Sequence, residues 1–198
     1  MHYYNDSGLG KKCNDVTNEK AKAIIDDLAE FGVPSILFSG GEPLMREDLF
    51  DLIQYANDKG LRTVISTNGT LITADKAKLI KKSCVSYVGI SLDGTGPIND
   101  KFRGAAGAFE RAVRGIRNCK DLDIRVGLRL TLTQKNLRER EKLFDFFEKE
   151  NAEQLIAICL FANVIAKRTA SIMRTGLWSG HIEPVAVPAS VSSPTGGI

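Results

Sequence analysis

Four polar clusters in this sequence each follow an apolar segment, and their side chains are suited to hold a ligand of mixed charge. The clusters are Ser39-Gly40-Gly41-Glu42-Pro43, Ser66-Thr67-Asn68-Gly69-Thr70, Ser91-Leu92-Asp93-Gly94, and residues 131–133 with Arg129 close before them. Hydroxyl, amide, carboxylate and guanidinium groups are the polar groups that orient a small molecule in a site. The four clusters are therefore the first candidates for a binding site.

Glu42 is the most informative of these residues, because its carboxylate stands between a glycine pair and a proline. A carboxylate accepts hydrogen bonds from an ammonium group, and glycine peptides approach a ligand without a Cβ in the way. A plainer interpretation stays open at every cluster. The pairs Gly40-Gly41, Asn68-Gly69 and Asp93-Gly94 are also what ordinary tight turns contain.

Helical and strand-like segments alternate along the chain. The spacing of Ala21, Ile24, Ile25 and Leu28 predicts a helix over residues 18–31, which Gly32 ends. Further helices are predicted over residues 46–58, 73–82, 109–119 and 137–150. Strands are predicted over residues 35–38, 62–66, 86–94 and 124–133, with a fifth candidate at 155–161.

This alternation predicts an α/β fold with a parallel sheet covered by crossover helices. Periodicity leaves two arrangements open, an open sheet with helices on both faces and a barrel or partial barrel. In either arrangement ligands bind at the carboxyl ends of the strands. All four polar clusters fall at such ends.

Composition excludes several classes of protein. The 198 residues, 43% of them hydrophobic, are enough for one domain with its own core. A net charge of +3 does not favour a nucleic-acid partner, and no run of eighteen apolar residues predicts a membrane span. We expect a cytoplasmic protein. Its scattered cysteines form no CxxC pair and predict neither a metal site nor a disulfide framework: Cys13, Cys84, Cys119 and Cys159.

The ordered set of motifs resembles the radical S-adenosylmethionine (SAM) superfamily over roughly residues 1–150. The motifs are Gly40-Gly41-Glu42-Pro43, Ser66-Thr67-Asn68-Gly69, Ser91-Leu92-Asp93-Gly94, DKFRG at residues 100–104 and Gly107-Ala108-Phe109. The text at residues 25–34 and 37–46 resembles the branch that contains haem-biosynthesis decarboxylases and haem d1 maturation enzymes. Peptide-modifying branches share much of this text.

The resemblance implies a partial (β/α)6 TIM-like barrel. It also implies a [4Fe-4S] cluster that reduces bound SAM, which splits into methionine and a 5′-deoxyadenosyl radical that abstracts hydrogen from the substrate. The implied partners are an electron donor and a small-molecule or peptide substrate, a tetrapyrrole in the branch named above.

By position, the resemblance assigns the cofactor-binding residues. The motif with Gly40, Gly41, Glu42 and Pro43 is expected at the methionine amino group of SAM. The next motif is expected along the nucleoside or the methionine: Ser66, Thr67 and Asn68. Ser91 is expected at the ribose or the carboxylate, and Arg129 at the carboxylate. Asp93 and Arg103 are expected either to brace this rim or to touch the ligand.

The sequence departs from the family at the cluster ligands. The family uses three cysteines in CxxxCxxC, and Tyr3 stands in the third cysteine's place. The other two positions and the first barrel strand would precede Met1, and Cys13 lies ten residues too late to substitute. A phenol is a poor ligand for an iron–sulfur cluster. We therefore expect no metal ligands in this chain, no cluster assembled by it, and a barrel that lacks its first strand.

These observations leave three hypotheses. The chain is a piece of a radical SAM enzyme, a non-catalytic chain that keeps only the SAM-binding rim, or an unrelated phosphate-binding α/β barrel. The third is disfavoured, because Glu42 would repel a phosphate. We expect an incomplete radical SAM core over residues 1–161. The proline-containing tail over residues 162–198 is expected to be poorly ordered or not to belong to the family sequence. One hypothesis for such a tail is a shift of the reading frame near residues 152–161.

Overall fold

The computed structural model of the chain describes residues 16–133, 136–150 and 154–159, with only the backbone for Leu132 and for the last segment. The chain divides into two units, 1–160 and 161–198, and all described residues belong to the first. The predictions for Tyr3, for Cys13 and for the tail at 162–198 lie outside the described residues.

Six helices and five strands alternate in the described part. The helices are α1 (Asn18–Glu30), α2 (Leu49–Asp58), α3 (Ala74–Lys82), α4 (Pro97–Arg103), α5 (Ala108–Lys120) and α6 (Arg140–Lys149). The strands are β1 (Ser35–Phe38), β2 (Arg62–Thr67), β3 (Tyr87–Ser91), β4 (Val126–Leu132) and β5 (Gln154–Cys159). Short 3-10 turns occupy Pro43–Met45 and Leu137–Glu139.

The five strands form one parallel sheet in the order β1-β2-β3-β4-β5. Every neighbour in the sheet is also the next strand along the chain, with helical segments between them, so the predicted α/β class with a parallel sheet is confirmed. Within the described residues β1 pairs with β2 alone, and the expected exposed edge at the strand that begins at Ser35 stays a prediction.

Alternation along the strands separates a buried face from a concave polar face. Residues of the buried face pack against α2, α3, α5 and α6 in the main core: Ile65, Val88, Ile90, Leu128 and Leu130. A smaller core under α1 and α2 contains Ile25, Leu52, Ala56 and Leu61. Because side chains alternate across a strand, the residues between the buried ones face the concave side. That side carries the polar residues discussed below.

Two sequence predictions about elements were wrong in detail. The helix predicted from residue 46 begins at Leu49, because Pro43 first starts a 3-10 turn and Arg46 is extended. The helix α4 was not predicted, because its seven residues are too few to repeat an apolar face. Its start follows a simple rule, since Pro97 occupies the first helical turn, where a missing N–H costs nothing.

The DKFRG motif ends α4 and caps α5. The Asp100 carboxylate accepts hydrogen bonds from the backbone N–H groups of Gly107 at 2.6 Å and Phe109 at 2.8 Å. These N–H groups hold the pKa of Asp100 below its usual range, with the Phe109 N–H as the largest cause. Gly104 takes a left-handed φ of 69° at the turn between the helices. Helix capping therefore explains Asp100 and Gly104 of this motif.

Candidate functional site

The carboxylate of Glu42 joins the loop after β1 to the loop after β2. Its Oε1 accepts from the Thr67 hydroxyl at 2.6 Å and from the Leu44 N–H at 3.2 Å, and its Oε2 accepts from the Asn68 N–H at 2.8 Å. Gly40, two residues before Glu42, has a φ of 147°, which favours glycine. One accepting direction of Oε2 remains for a ligand amino group.

Two glycines allow the loop after β2 to pack closely against α5. Gly69 has a φ of 76°, and a Cβ there would lie 2.7 Å from the Ile90 side chain. A Cβ on Gly115 of α5 would lie 2.5 Å from the Gly69 carbonyl oxygen, so both positions require glycine. The loop also closes on itself, because the Asn68 side chain accepts from the Thr70 N–H at 2.8 Å and from its hydroxyl at 2.7 Å.

Arg129 crosses the concave face of the sheet from β4 to β2. Its Nη1 donates to the Ser66 hydroxyl, and its side chain passes over Gly89 of β3, where a Cβ would lie 3.1 Å from the arginine Cδ. Arg129 is also the register partner of Ser91. Its Nε is buried and finds no acceptor among the described residues. The guanidinium is thus held by Ser66, and its buried Nε–H has no acceptor among the described residues.

Asp93 braces the rim from inside the protein. Its carboxylate is fully buried, lies 2.5 Å from the Arg103 guanidinium and accepts from the Thr131 N–H at 2.8 Å. Burial raises the pKa of Asp93, while the charge of Arg103 and the Thr131 N–H oppose that increase. Of the two roles expected for Asp93 and Arg103, the contacts match bracing, and a contact of Asp93 with SAM stays a prediction.

Asn136 and Glu139 complete this brace, and the sequence analysis missed both. The buried Asn136 amide donates to the carbonyls of Asp93 and Thr131, each at 2.8 Å, and its Oδ1 accepts from the Thr133 N–H at 2.7 Å. The buried Glu139 accepts from the Thr95 hydroxyl at 2.7 Å. An asparagine shortly after a strand is a turn signal, but nothing local reveals that it bridges two strand ends.

The structure places nine of the ten predicted cofactor-binding residues at the carboxyl ends of β1, β2 and β3, and the tenth, Arg129, lies in the middle of β4. Three of them are buried, namely Pro43, Thr67 and Asp93, and they shape the rim. The others are at least partly exposed or belong to the backbone that lines the rim: Gly40, Gly41, Glu42, Ser66, Asn68, Ser91 and Arg129. The rim therefore carries a carboxylate, an amide, hydroxyls and a guanidinium, as a zwitterionic amino acid needs.

The described residues offer no set of ligands for an iron–sulfur cluster. The described residues contain no group of three or more His, Cys, Asp or Glu side chains that could hold a metal ion. Their free thiols belong to the exposed Cys84 and to Cys119 of α5, which lie just before β3 and β4, at the opposite end of the sheet from the rim. Burial also raises the pKa of the Cys119 thiol to about 12. The described residues do not fit a [4Fe-4S] cluster.

Comparison with known families explains this combination of sheet and rim. The family model described as the radical SAM superfamily matches residues 3–147. The chain belongs to the radical SAM superfamily. Its parallel sheet of five strands is part of the TIM-like barrel of these enzymes, so the predicted fold class is confirmed.

Three curated relatives of this radical SAM chain carry the names of haem or coproporphyrin synthases. It is 50% identical over 164 residues to the Fe-coproporphyrin III synthase of Methanosarcina barkeri, covering 83% of the chain and 40% of the relative. The pre-heme d1 synthase of Dinoroseobacter shibae is 40% identical, covering 71% and 35%. The AdoMet-dependent heme synthase of Nitratidesulfovibrio vulgaris is 41% identical, covering 85% and 46%. The chain thus spans less than half the length of each relative.

Solved structures show the same fold at low identity. Native anSMEcpe with bound AdoMet matches with a TM-score of 0.66 at 21% identity, covering 81% of this chain and 47% of that one. SuiB of Streptococcus suis bound to S-adenosylmethionine matches with a TM-score of 0.68 at 17% identity, covering 81% of this chain and 39% of that one.

A relative named for a peptide substrate is more distant in sequence. The PqqA peptide cyclase of Bradyrhizobium diazoefficiens is 26% identical over 169 residues, covering 84% of this chain and 44% of the relative.

None of the described helices is long and apolar enough to cross a membrane.

Proposed function

We propose that this chain supplies the SAM-binding rim of a radical SAM enzyme that acts on a tetrapyrrole. The loops after β1 and β2 would hold the methionine amino group through Glu42 and the backbone of Gly40 and Gly41. Ser91 and Arg129 would hold the carboxylate, and the region from Ser66 to Asn68 would face the nucleoside or the methionine. A tetrapyrrole is favoured over a peptide because the relatives named for haem biosynthesis are 40–50% identical and the peptide cyclase 26%.

Arg129 carries this proposal. A buried guanidinium nitrogen without an acceptor is costly, so an orphaned Nε is expected where a ligand supplies the missing oxygen. Ser66 fixes the guanidinium, and Ser91 lies beside it in the register, so a carboxylate at this point would accept from two different strands. Across the rim, Glu42 offers the negative charge that the amino group needs.

Ligand truncation tests the proposal. SAM and S-adenosylhomocysteine are expected to bind the chain with similar affinity, because both carry the amino and carboxylate groups. 5′-Methylthioadenosine lacks these groups and is expected to bind about 30- to 100-fold more weakly, the equivalent of one or two charge-assisted hydrogen bonds. Isothermal titration calorimetry measures all three. Equal affinity for 5′-methylthioadenosine and SAM would contradict the proposed rim.

A second candidate function is SAM binding without radical chemistry, and Tyr3 is the residue that favours it. The radical reaction of the family depends on a cluster, and a phenol at the third cysteine's position is a poor ligand for it. We therefore propose that the chain with Tyr3 binds SAM but does not assemble the cluster.

Anaerobic reconstitution with iron and sulfide separates the two candidates. The reconstituted chain is expected to show no iron–sulfur absorbance and no 5′-deoxyadenosine after addition of SAM and a strong reductant, while calorimetry still detects SAM binding. Tyr3→Phe serves as the control, since it removes the phenol oxygen and should change nothing. A cluster in the parent chain that is lost in Tyr3→Phe would show that the phenol is a ligand after all.

An electron donor and a cytoplasmic location complete the proposal. An electron donor would be required wherever the cluster is present. A cytoplasmic location is proposed because the exposed Cys84 is a free thiol, which is typical of a reducing compartment.

A further inference from the structure

Asn136 is a buried side chain whose contacts lie in the sheet rather than in its own helical turn. It is fully buried and occupies the N-cap position of the 3-10 turn Leu137–Glu139. An asparagine at an N-cap commonly accepts a hydrogen bond from the first turn that follows it. Asn136 makes no such bond within the described residues. Its Oδ1 instead accepts from the Thr133 N–H at 2.7 Å and from the Thr133 hydroxyl at 3.0 Å, so the amide is directed back toward β4.

The amide nitrogen of Asn136 joins the ends of β3 and β4 just beyond their register pairing. That pairing ends at Ser91 and Arg129. Two residues further along each strand, the Asn136 Nδ2 donates to the Asp93 carbonyl and to the Thr131 carbonyl, each at 2.8 Å. Because one nitrogen bonds both oxygens, a single amide determines how far apart the two strand ends lie.

A second contact joins the same strand ends. The Thr131 N–H donates to the Asp93 carboxylate at 2.8 Å, so both backbone groups of Thr131 are held. Asp93 and Asn136 are fully buried, and water therefore cannot take the place of the amide. Loss of the amide would leave the buried Asp93 carbonyl without this donor, and that cost favours separation of the two strand ends.

We infer that Asn136 is a positioning residue for the carboxylate of SAM. Ser91 and Arg129 are the last register pair before the Asn136 contacts, and the side chains of directly opposite residues lie on the same face of a sheet. To hold one carboxylate together, the two side chains must keep their spacing to within about 0.5 Å. Asn136 fixes that spacing without touching the ligand.

This inference rests on the proposed function, because it concerns the same carboxylate site on Ser91 and Arg129. It adds a residue that determines how well the site distinguishes a ligand with a carboxylate from one without it. Neither the spacing of the sequence motifs nor the contacts of the rim residues themselves assign that role to Asn136.

The preference for SAM over decarboxylated SAM measures this role. The second ligand keeps the adenosine, the sulfonium and the amino group, and lacks only the carboxylate. A residue that merely stabilises the fold would change the affinity for both ligands in the same proportion. A residue that positions the carboxylate site changes the ratio of the two affinities. Isothermal titration calorimetry with each ligand gives this ratio for the parent chain and for each variant.

Asn136→Asp is the main variant, because it replaces the donating NH2 group with an oxygen and keeps the acceptor for Thr133. Asn57→Asp is the matched control at the opposite end of the sheet, in the last turn of α2. The Asn57 Nδ2 donates to the Ser83 carbonyl at 2.7 Å, and its Oδ1 accepts from the Thr63 hydroxyl at 3.0 Å. Both substitutions therefore remove a donating amide and add the same negative charge.

We expect the parent chain and Asn57→Asp to prefer SAM over decarboxylated SAM by the same factor. In Asn136→Asp this preference is expected to fall about 10-fold, because SAM binds more weakly while decarboxylated SAM binds as before. Asn136→Ala is the second variant, and the same fall is expected for it. Since alanine carries no charge, this variant shows that the fall does not come from repulsion between a new carboxylate and that of SAM.

Binding of decarboxylated SAM with the affinity of the parent chain shows that a variant is folded. An unchanged preference in both Asn136 variants would overturn the inference and leave the proposed rim standing. Weaker binding of both ligands in the same proportion would also overturn it, because the role of Asn136 would then be structural. Equal affinity of the parent chain for the two ligands would contradict the proposed rim itself, and the inference would fail with it.

Discussion

Arg103→Met lowers the free energy of unfolding by about 3 to 5 kcal/mol at pH 7, as is typical when one partner of a buried ion pair is removed. The Asp93 side chain is fully buried and the Arg103 side chain is 11% exposed, so water cannot replace the lost partner. Chemical denaturation monitored by circular dichroism measures this loss. It is the largest stability effect that we expect from a single substitution in the described residues.

The same variant makes stability depend on pH in a definite direction. Burial is the largest cause that raises the pKa of Asp93, and the charge of Arg103 is the largest cause that opposes it. Without Arg103 the folded-state pKa lies further above the unfolded value of about 3.9. The folded variant then binds more protons than the unfolded chain, so its stability falls as the pH rises from about 4 toward neutrality.

Two further variants test the mechanism of this loss. Arg103→Met/Asp93→Asn is expected to lose the added pH dependence, because an amide does not titrate. Lys78→Met breaks the exposed pair with Asp75, whose side chains are 68% and 90% exposed, and should cost about 0.3 kcal/mol or less. A loss of stability in Arg103→Met that is the same at pH 4 and pH 7 would show that packing, not charge, accounts for the effect.

The sequence was sufficient for features that depend on a few neighbouring residues. Apolar runs and helical spacing predicted ten of the elements, and the rule that ligands gather at the carboxyl ends of parallel strands predicted where the polar clusters meet. The α4 helix was missed because seven residues carry no repeat. Asp100, the residue of α4 that caps α5, was visible only as part of a family motif.

Other features depend on pairs of residues distant in the chain, and for these no local pattern exists. The sequence could not distinguish whether Asp93 braces the rim or binds a ligand, because the answer depends on Thr131, 38 residues later. Likewise, Arg46 fixes the segment before α1 by donating to the Val16 carbonyl at 2.9 Å, across 30 residues. Such contacts become predictable only once the register of the sheet is known.

Gly89 and Gly127 show a signal that was present but not used. Glycine within a strand weakens it unless another group approaches closely, so a mid-strand glycine indicates such an approach. In the sheet the two glycines are register partners, and the Arg129 side chain covers the first while Tyr87 covers the second. Each glycine therefore makes room for a side chain of the neighbouring strand, and the first of these side chains, Arg129, belongs to the proposed SAM-binding rim.

Gly89→Ala is expected to weaken SAM binding about 10-fold without removing any charge. The new Cβ would lie 3.1 Å from the Arg129 Cδ and 3.2 Å from its Nε, so the arginine side chain must move by a few tenths of an ångström, which is expected to loosen its contact with Ser66. Arg129→Gln removes the charge itself and is expected to weaken SAM binding about 30- to 100-fold, as for loss of a buried charge-assisted contact. Isothermal titration calorimetry with SAM measures both variants.

The double variant Gly89→Ala/Arg129→Gln shows whether both substitutions act through the Arg129 guanidinium. If the alanine acts by displacing Arg129, it should have almost no further effect in the Arg129→Gln background, because residues in contact couple and their effects do not add. Additive losses for Gly89→Ala and Arg129→Gln would mean that the glycine matters for the sheet rather than for the position of the arginine.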